Sequence, residues 1–407
     1  MVGHSSTRQR LVVAFVSFVL ATAATVVAAA SSTGPASDAG ARPVGGFQRP
    51  PEPPKQHDLR LGLSYGDTLT WKSDDGLAAA LNDAVGLGTT WIRVDLSWNN
   101  IQPDSPRTYQ WQRFDRIVKA ARERNLDVLA TIAYTPAWAR AESCTGHRPT
   151  CPPADPKKFA AFAKLAALRY APQGVHTWEV WNEPNLPQFW HPKPDAKAYT
   201  TLLNSTAASL READPTAYVL MGGLAAVGTW ESIKYVSHLD FLEQVCRLGG
   251  NKMVDALSYH PYAWPQLPHD GKVFQEVSSA GENLVGVAER HGTPGMPVWL
   301  TETGAPTNGP GNPAADEKSR TENITHVSEE FQARIATDTV PTAVKDKYVA
   351  AAFWFAHQDT ATGNDKSHSK YYGLRRYDGS AKPAFAALRA AIEEYAKKQP
   401  RQGVSSR

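Results

Sequence analysis

An α/β chain closed into a (β/α)8 TIM barrel is the fold this sequence predicts, and three observations carry the prediction. Eight short runs rich in aliphatic, β-branched and aromatic residues recur along the chain. Segments with apolar residues at spacings of three and four fill the gaps between them. Two of the runs end abruptly in a glutamate, as a buried parallel strand does when it delivers an acid to its C-terminal end. Alternation of strands and helices implies a parallel sheet, and eight such strands imply closure.

The chain opens with a targeting pattern. Arg8 and Arg10 precede an apolar run, 11–30, that finishes Ala28-Ala29-Ala30 before Ser31, so residues 1–30 read as a signal peptide and imply export. The run is also just long enough to span a bilayer, and an uncleaved N-terminal anchor, hence a membrane tether, is the alternative. Residues 31–55 are dominated by Ser, Gly, Ala and Pro and cannot bury a core, which marks a disordered or polyproline spacer. The barrel is expected over 56–399, with a tail at 400–407.

Its strands are predicted at 60–65, 90–96, 127–133, 177–181, 218–223, 256–261, 297–302 and 351–356. Helices are expected at 111–124, 156–170, 196–212, 274–291 and 382–398. The segment 311–345 is longer and more polar than a seventh helix requires, and predicts an insertion or extra helix near the pocket. In such a barrel chemistry gathers at the C-terminal ends of the strands, so the last residues of each run are the candidates.

Two stretches dominate: 177–185, TWEVWNEPN, and 297–304, PVWLTETG. Each brings a carboxylate to a strand end, Glu183 and Glu302. A pre-proline residue avoids the right-handed helical region, so Glu183 is expected to be extended. Either glutamate alone reads equally as a polar residue closing a strand. Together they are what glycosidic cleavage requires, one protonating the leaving oxygen while the other attacks or stabilises the anomeric carbon. Arg93 lies among apolar residues of the second run and must be paired if buried, either with these carboxylates or with Asp95. Asn182 adjoins the acid and can donate to a sugar hydroxyl. Trp98, Tyr134 and Trp138 follow the second and third runs as candidate sugar walls or as loop packing. His260 and Tyr262 end the sixth run, and Trp354 sits in the eighth, with Trp190 and Trp264 as loop alternatives.

Trp181-Asn182-Glu183-Pro184 and Thr301-Glu302-Thr303-Gly304 resemble the strand-four and strand-seven signatures of the clan A glycoside hydrolases, retaining barrel enzymes such as families 5 and 39. The resemblance extends from about 59 to 395. It implies that Glu183 is the general acid/base, that Glu302 is the nucleophile and that Arg93 hydrogen-bonds the nucleophile. It also implies that His260 and Tyr262 orient the nucleophile, that Asn182 contacts the sugar 2-OH, and that Trp354 floors the sugar site with a cis peptide after it. No metal or cofactor is implied.

Composition agrees. The 407 residues are 42% hydrophobic and 20% charged, an ordinary globular balance with material for one large core. A net charge of +3 without arginine-rich runs excludes a nucleic-acid surface. The expected partner is a poly- or oligosaccharide, and a monomer is expected. Cys144 and Cys151 flank a short loop and predict a local disulfide in an oxidising compartment. A zinc site from Cys144, His147 and Cys151 would lack a fourth ligand at a usual spacing, and Cys246 reads as a buried free thiol. The alternatives to a secreted hydrolase are a catalytically idle carbohydrate-binding barrel and a transglycosylase using the same residues.

Overall fold

The computed structural model describes residues 59–142, 144 and 148–399. The leader, spacer, His147 and tail lie outside the described residues. Eight parallel strands form a closed barrel: β1 Arg60–Ser64, β2 Trp91–Ser97, β3 Asp127–Ala133, β4 Thr177–Asn182, β5 Tyr218–Ala225, β6 Leu257–His260, β7 Val298–Thr303 and, last, β10 Val349–Phe355. Two short strands, β8 Asn312–Ala314 and β9 Ile324–Val327, pair with each other outside the barrel.

The helices begin where the sequence supplies acceptors for their first free N–H groups. Ser73, Ser97, Asp155, Asp195, Ser237, Asn283 and Ser328 each cap one. The expected helix at 274–291 is instead two short ones, Lys272–Gln275 and Leu284–Arg290, with Asn283 capping the second. The expected insertion after the seventh strand is the β8–β9 excursion followed by the helix Glu329–Lys345.

Strand alternation divides the side chains between two layers. Ile92, Val94 and Leu96 of β2 face the outer helices, in one continuous core with Trp178, Val180, Leu300 and Trp354. Leu129, Leu220, Ala256, Trp299, Ala351 and Phe353 fill the barrel interior. At its base the Arg60 guanidinium lies 5.2 Å from the Trp299 ring centroid, and Trp91 packs edge-on to Trp299. Towards the strands' C-terminal ends the interior turns polar, with Arg93, Thr131, Glu179, His260 and Thr301 all buried.

Candidate functional site

The site is assembled around Arg93, which is wholly buried on β2. Its Nε donates to Glu179 Oε2 (2.6 Å), Nη1 to Glu302 Oε1 (2.5 Å) and Ser64 Oγ (3.2 Å), and Nη2 to Asn182 Oδ1 (2.7 Å). One planar cation thereby joins β1, β2, β4 and β7. Its partner is not Asp95: of the two pairings open in the sequence, the structure forms the one across the barrel. Glu179 also accepts from Thr131 Oγ1 and Thr301 Oγ1, both at 2.8 Å.

Glu183 and Glu302 open into one cavity of about 910 Å³. With His260 they present side-chain oxygens and a ring nitrogen that all lie within 4.8 Å of one another. Three such groups could in principle hold a cation, but both Glu302 oxygens are already engaged, by Arg93 and by the Tyr262 hydroxyl at 2.6 Å. The adjacent guanidinium also repels a second positive charge.

Backbone placement of Glu183 differs from expectation. It is not extended but left-handed, with φ 43°, and its N–H donates to Gly223 O at 2.9 Å. The pre-proline restriction excludes the right-handed helical region, and the chain satisfies it on the opposite side of the map. Trp181 (φ 76°) and Tyr134 (φ 67°) share this conformation, so three non-glycine residues at neighbouring strand ends are held in a sparsely populated region.

His260 was expected to orient the nucleophile, but its hydrogen bond goes to the other glutamate. Nδ1 lies 2.9 Å from Glu183 Oε1 and 3.7 Å from Glu302 Oε2, while Nε2 lies 3.1 Å from Thr301 Oγ1. Because the Thr301 hydroxyl donates to Glu179, its oxygen accepts from Nε2–H. Nδ1 is therefore the nitrogen that shares a proton with Glu183. Gly223 makes room for the ring, since a Cβ there would lie 2.1 Å from His260 Nε2.

These surroundings push the two acids apart. Burial raises the Glu183 carboxyl above the ordinary glutamate range, and the His260 contact offsets this only in part. Burial acts on Glu302 as well, but the charges of His260 and Arg93, with hydrogen bonds from Tyr262 and Arg93, outweigh it and hold that carboxyl below the ordinary range. The His260 imidazole is raised: burial opposes its charge, and Glu302 and Glu183 together overcome that.

The aromatic candidates divide. Tyr134, Tyr262 and Trp264 line the cavity. Trp98 does not; it is buried, stacks on Phe162 and donates Nε1–H to Gln102 Oε1 (2.7 Å), because it starts a short helix that turns it beneath the loops. Trp138 packs edge-on against Trp98 and donates to Gln102 O (2.8 Å), away from the cavity. Trp190 is buried against Trp181. Trp354 is likewise corrected. Phe353 points into the barrel and Trp354 into the helical layer, so alternation brings Phe355 to the cavity wall, and the cis peptide follows Phe355 rather than Trp354.

Several lining residues had not been singled out. Phe355 and Tyr372 line the cavity, as does Asp95, which the sequence offered only as a partner for Arg93, while Leu186, Phe189, Val227, Trp230 and Tyr235 form an apolar wall beyond Glu183. Glu179, beneath the cavity, was legible as a charged residue inside the apolar fourth run. Cys144 and Cys151 form a disulfide, which leaves neither sulfur for zinc. Cys246 is free and buried, its thiol pushed up to about 12 by burial. Among the described residues no helix is long and apolar enough to cross a membrane.

Comparison with solved structures finds the same barrel fold in several glycoside hydrolases. A family 39 glycoside hydrolase from the gut symbiont Bacteroides cellulosilyticus WH2 matches with a TM-score of 0.60 at 22% identity, over 83% of this chain and 64% of that one. The present chain thus spans under two thirds of that enzyme's length. A GH5_18 enzyme from Streptomyces cattleya, solved in complex with GlcNAc, matches with a TM-score of 0.61 at 20% identity, over 84% of this chain and 82% of that one. A monomeric beta-xylosidase from Caulobacter crescentus CB15 gives 0.58 at 19%, over 84% and 69%. These likenesses speak for the fold. Residues 57–354 match the family profile described as Cellulase (glycosyl hydrolase family 5), and the chain belongs to that family of glycosyl hydrolases.

Proposed function

We propose that this protein hydrolyses O-glycosidic bonds with retention of anomeric configuration, Glu302 acting as nucleophile and Glu183 as acid and then base. The observation that carries the reading is the closeness of two oppositely tuned carboxyls in one cavity, with oxygens within 4.8 Å of each other. Retaining enzymes hold the pair about 5–5.5 Å apart, whereas inverting ones separate it by roughly 6.5–9.5 Å to admit a water.

In the first step the ionised Glu302 attacks the anomeric carbon while protonated Glu183 gives its proton to the departing oxygen. Arg93 and Tyr262 hold the two Glu302 oxygens and so fix its direction of attack. In the second step Glu183, now a carboxylate, takes a proton from water as that water attacks the same carbon and releases Glu302. Asn182 accepts from Arg93 through Oδ1, which leaves its amide N–H groups to donate to the sugar.

Loops after seven of the eight barrel strands contribute to the cavity lining, including Ser319, Arg320 and Asn323 of the β8–β9 excursion, while β2 contributes Asp95 from the strand itself. A rim built from so many sides favours a short or terminal glycoside over the interior of a long chain. The disulfide and the leader-like N-terminus support an exported enzyme acting on extracellular or cell-wall saccharides. NMR of the first product formed from an aryl β-glycoside tests the stereochemistry: the β-anomer is expected, and initial formation of the α-anomer would refute the double displacement.

A further inference from the structure

Asp95 is a buried acid to which no described residue offers a hydrogen bond or an ion pair. It is 8% exposed and lines the cavity at the end of β2, yet its carboxylate makes no hydrogen bond or ion pair with any described residue. Arg93, two residues earlier on the same strand face, directs its donors to Ser64, Glu179, Asn182 and Glu302 instead. The other groups acting on Asp95, namely Asp67, Glu179 and Glu302, are acids, and its charge opposes ionisation of the Tyr134 hydroxyl. A buried carboxylate left in this state is costly, and buried polar groups in native proteins have partners.

Its position says where the partner comes from. The Asp95 N–H is fixed to Gly66 O at 2.9 Å, and Gly66, with φ +54°, carries no side chain to cover the wall. A Cβ built there meets nothing nearer than Asp95 Oδ2, at 4.0 Å. The carboxylate therefore borders open cavity. On the far side stand Leu186, Phe189, Val227, Trp230 and Tyr235, beside Glu183. Trp230 and Tyr235 are paired across a tight turn by two backbone hydrogen bonds, their rings within 8° of parallel. Since Glu183 protonates the leaving oxygen, the leaving group lies towards that apolar wall, and the sugar being transferred lies towards Asp95.

We infer that Asp95 is a specificity residue for the transferred sugar, an acceptor for hydroxyl donors on the ring edge that faces β1 and β2. The inference rests on the glycosidase reading above. A sugar lacking a free hydroxyl at that edge, through deoxygenation or O-alkylation, leaves the carboxylate unpaired and is rejected, as sites built to hydrogen-bond a hydroxyl reject analogues without it. Burial already pushes the Asp95 carboxyl up to about 7, with Arg93 opposing, which agrees with an acid that has no donor of its own.

The test uses the full-length enzyme, with the fastest of the 4-nitrophenyl β-D-glucoside, mannoside, galactoside and xyloside as parent substrate, together with its monodeoxy analogues. Wild type, Asp95→Asn and Asp95→Ala are compared by kcat/KM. Asp95→Ala is expected to lose roughly 10–100-fold on the parent, the worth of one charge-assisted hydrogen bond. At one ring position, deoxygenation should cost wild type a similar factor and cost Asp95→Ala nothing more. Should every deoxy analogue show the same wild-type to variant ratio as the parent, Asp95 does not touch the sugar and the inference fails. Asp95→Asn is nearly isosteric and carries the same comparison if the alanine variant does not fold. If wild type hydrolyses none of the parents, the glycosidase reading itself fails, and the inference falls with it.

Discussion

In the proposed mechanism Glu183 and Glu302 are the same residue type with opposite tasks, and their neighbours assign them. Glu302 must be ionised to attack, so kcat/KM falls as pH drops through a value below the ordinary glutamate range. Glu183 must be protonated to donate, so kcat/KM falls again as pH rises through a value above that range. His260 lowers both carboxyls. Its replacement by alanine is therefore expected to move both limbs of the bell to higher pH. A pH–rate profile in which the limbs stay in place, or move down, contradicts the proton sharing between Nδ1 and Glu183. Among single residues Arg93, Glu183 and Glu302 were legible early, because a charge inside an apolar run has few places to go. Asp95 was read only as an alternative partner for Arg93. Its lack of a partner among the described residues is a fact of three dimensions.

At the scale of elements, the close approach of β5 and β6 sets the geometry of the acid. Gly223 of β5 leaves the space that the His260 ring of β6 occupies, and a methyl group there meets the imidazole 2.1 Å away. Gly223→Ala is expected to cost about 1–3 kcal/mol of stability, as overpacking does. It should also cost about 10²-fold in kcat/KM, because displacing the ring by about 1 Å misplaces Glu183. Denaturant melts and steady-state kinetics measure the two effects separately. The strands were readable as apolar runs, but their inward parity was not wherever both faces are buried. In β10, Trp354 and Phe355 have equal claim from sequence, and only the register of Gly62 against Phe353 and Leu63 against Trp354 decides which enters the cavity. Trp98 misled for a related reason: it falls one residue past β2, where strand alternation no longer governs direction. The expected single helix at 274–291 had the right periodicity, but Asn283 within it is a cap, and the chain restarts there.

For the whole molecule, the floor of the cavity is also the barrel's polar core. Arg93 ties β2 to β1, β4 and β7, so the proposed catalysis and the stability of the barrel share one group. Arg93→Met leaves Glu179 a buried acid without a counter-charge and Glu302 with His260 as its remaining one, and a loss of about 3–5 kcal/mol is expected. A second change, Glu179→Gln, which removes one of the stranded charges, should recover part of that stability in a double-mutant comparison but not the activity. Equal stability of wild type and Arg93→Met would show that the pairing carries no weight. Eightfold alternation made the closed barrel readable from sequence, because each element's apolar pattern demands a partner layer. The loops after the strands were not, since their packing depends on neighbours far apart in the chain, as the β8–β9 excursion over the cavity illustrates.

The proposed pairing of a nucleophile on β7 with an acid at the end of β4 is tested most directly by trapping the covalent intermediate. A 2-deoxy-2-fluoro glycoside with a good leaving group slows both steps by destabilising the oxocarbenium-like transition state, and the labelled protein is digested and sequenced by mass spectrometry. The sugar is predicted on Glu302 alone, with no label in Glu302→Ala. A label on another residue, or turnover with no covalent adduct at all, would contradict it.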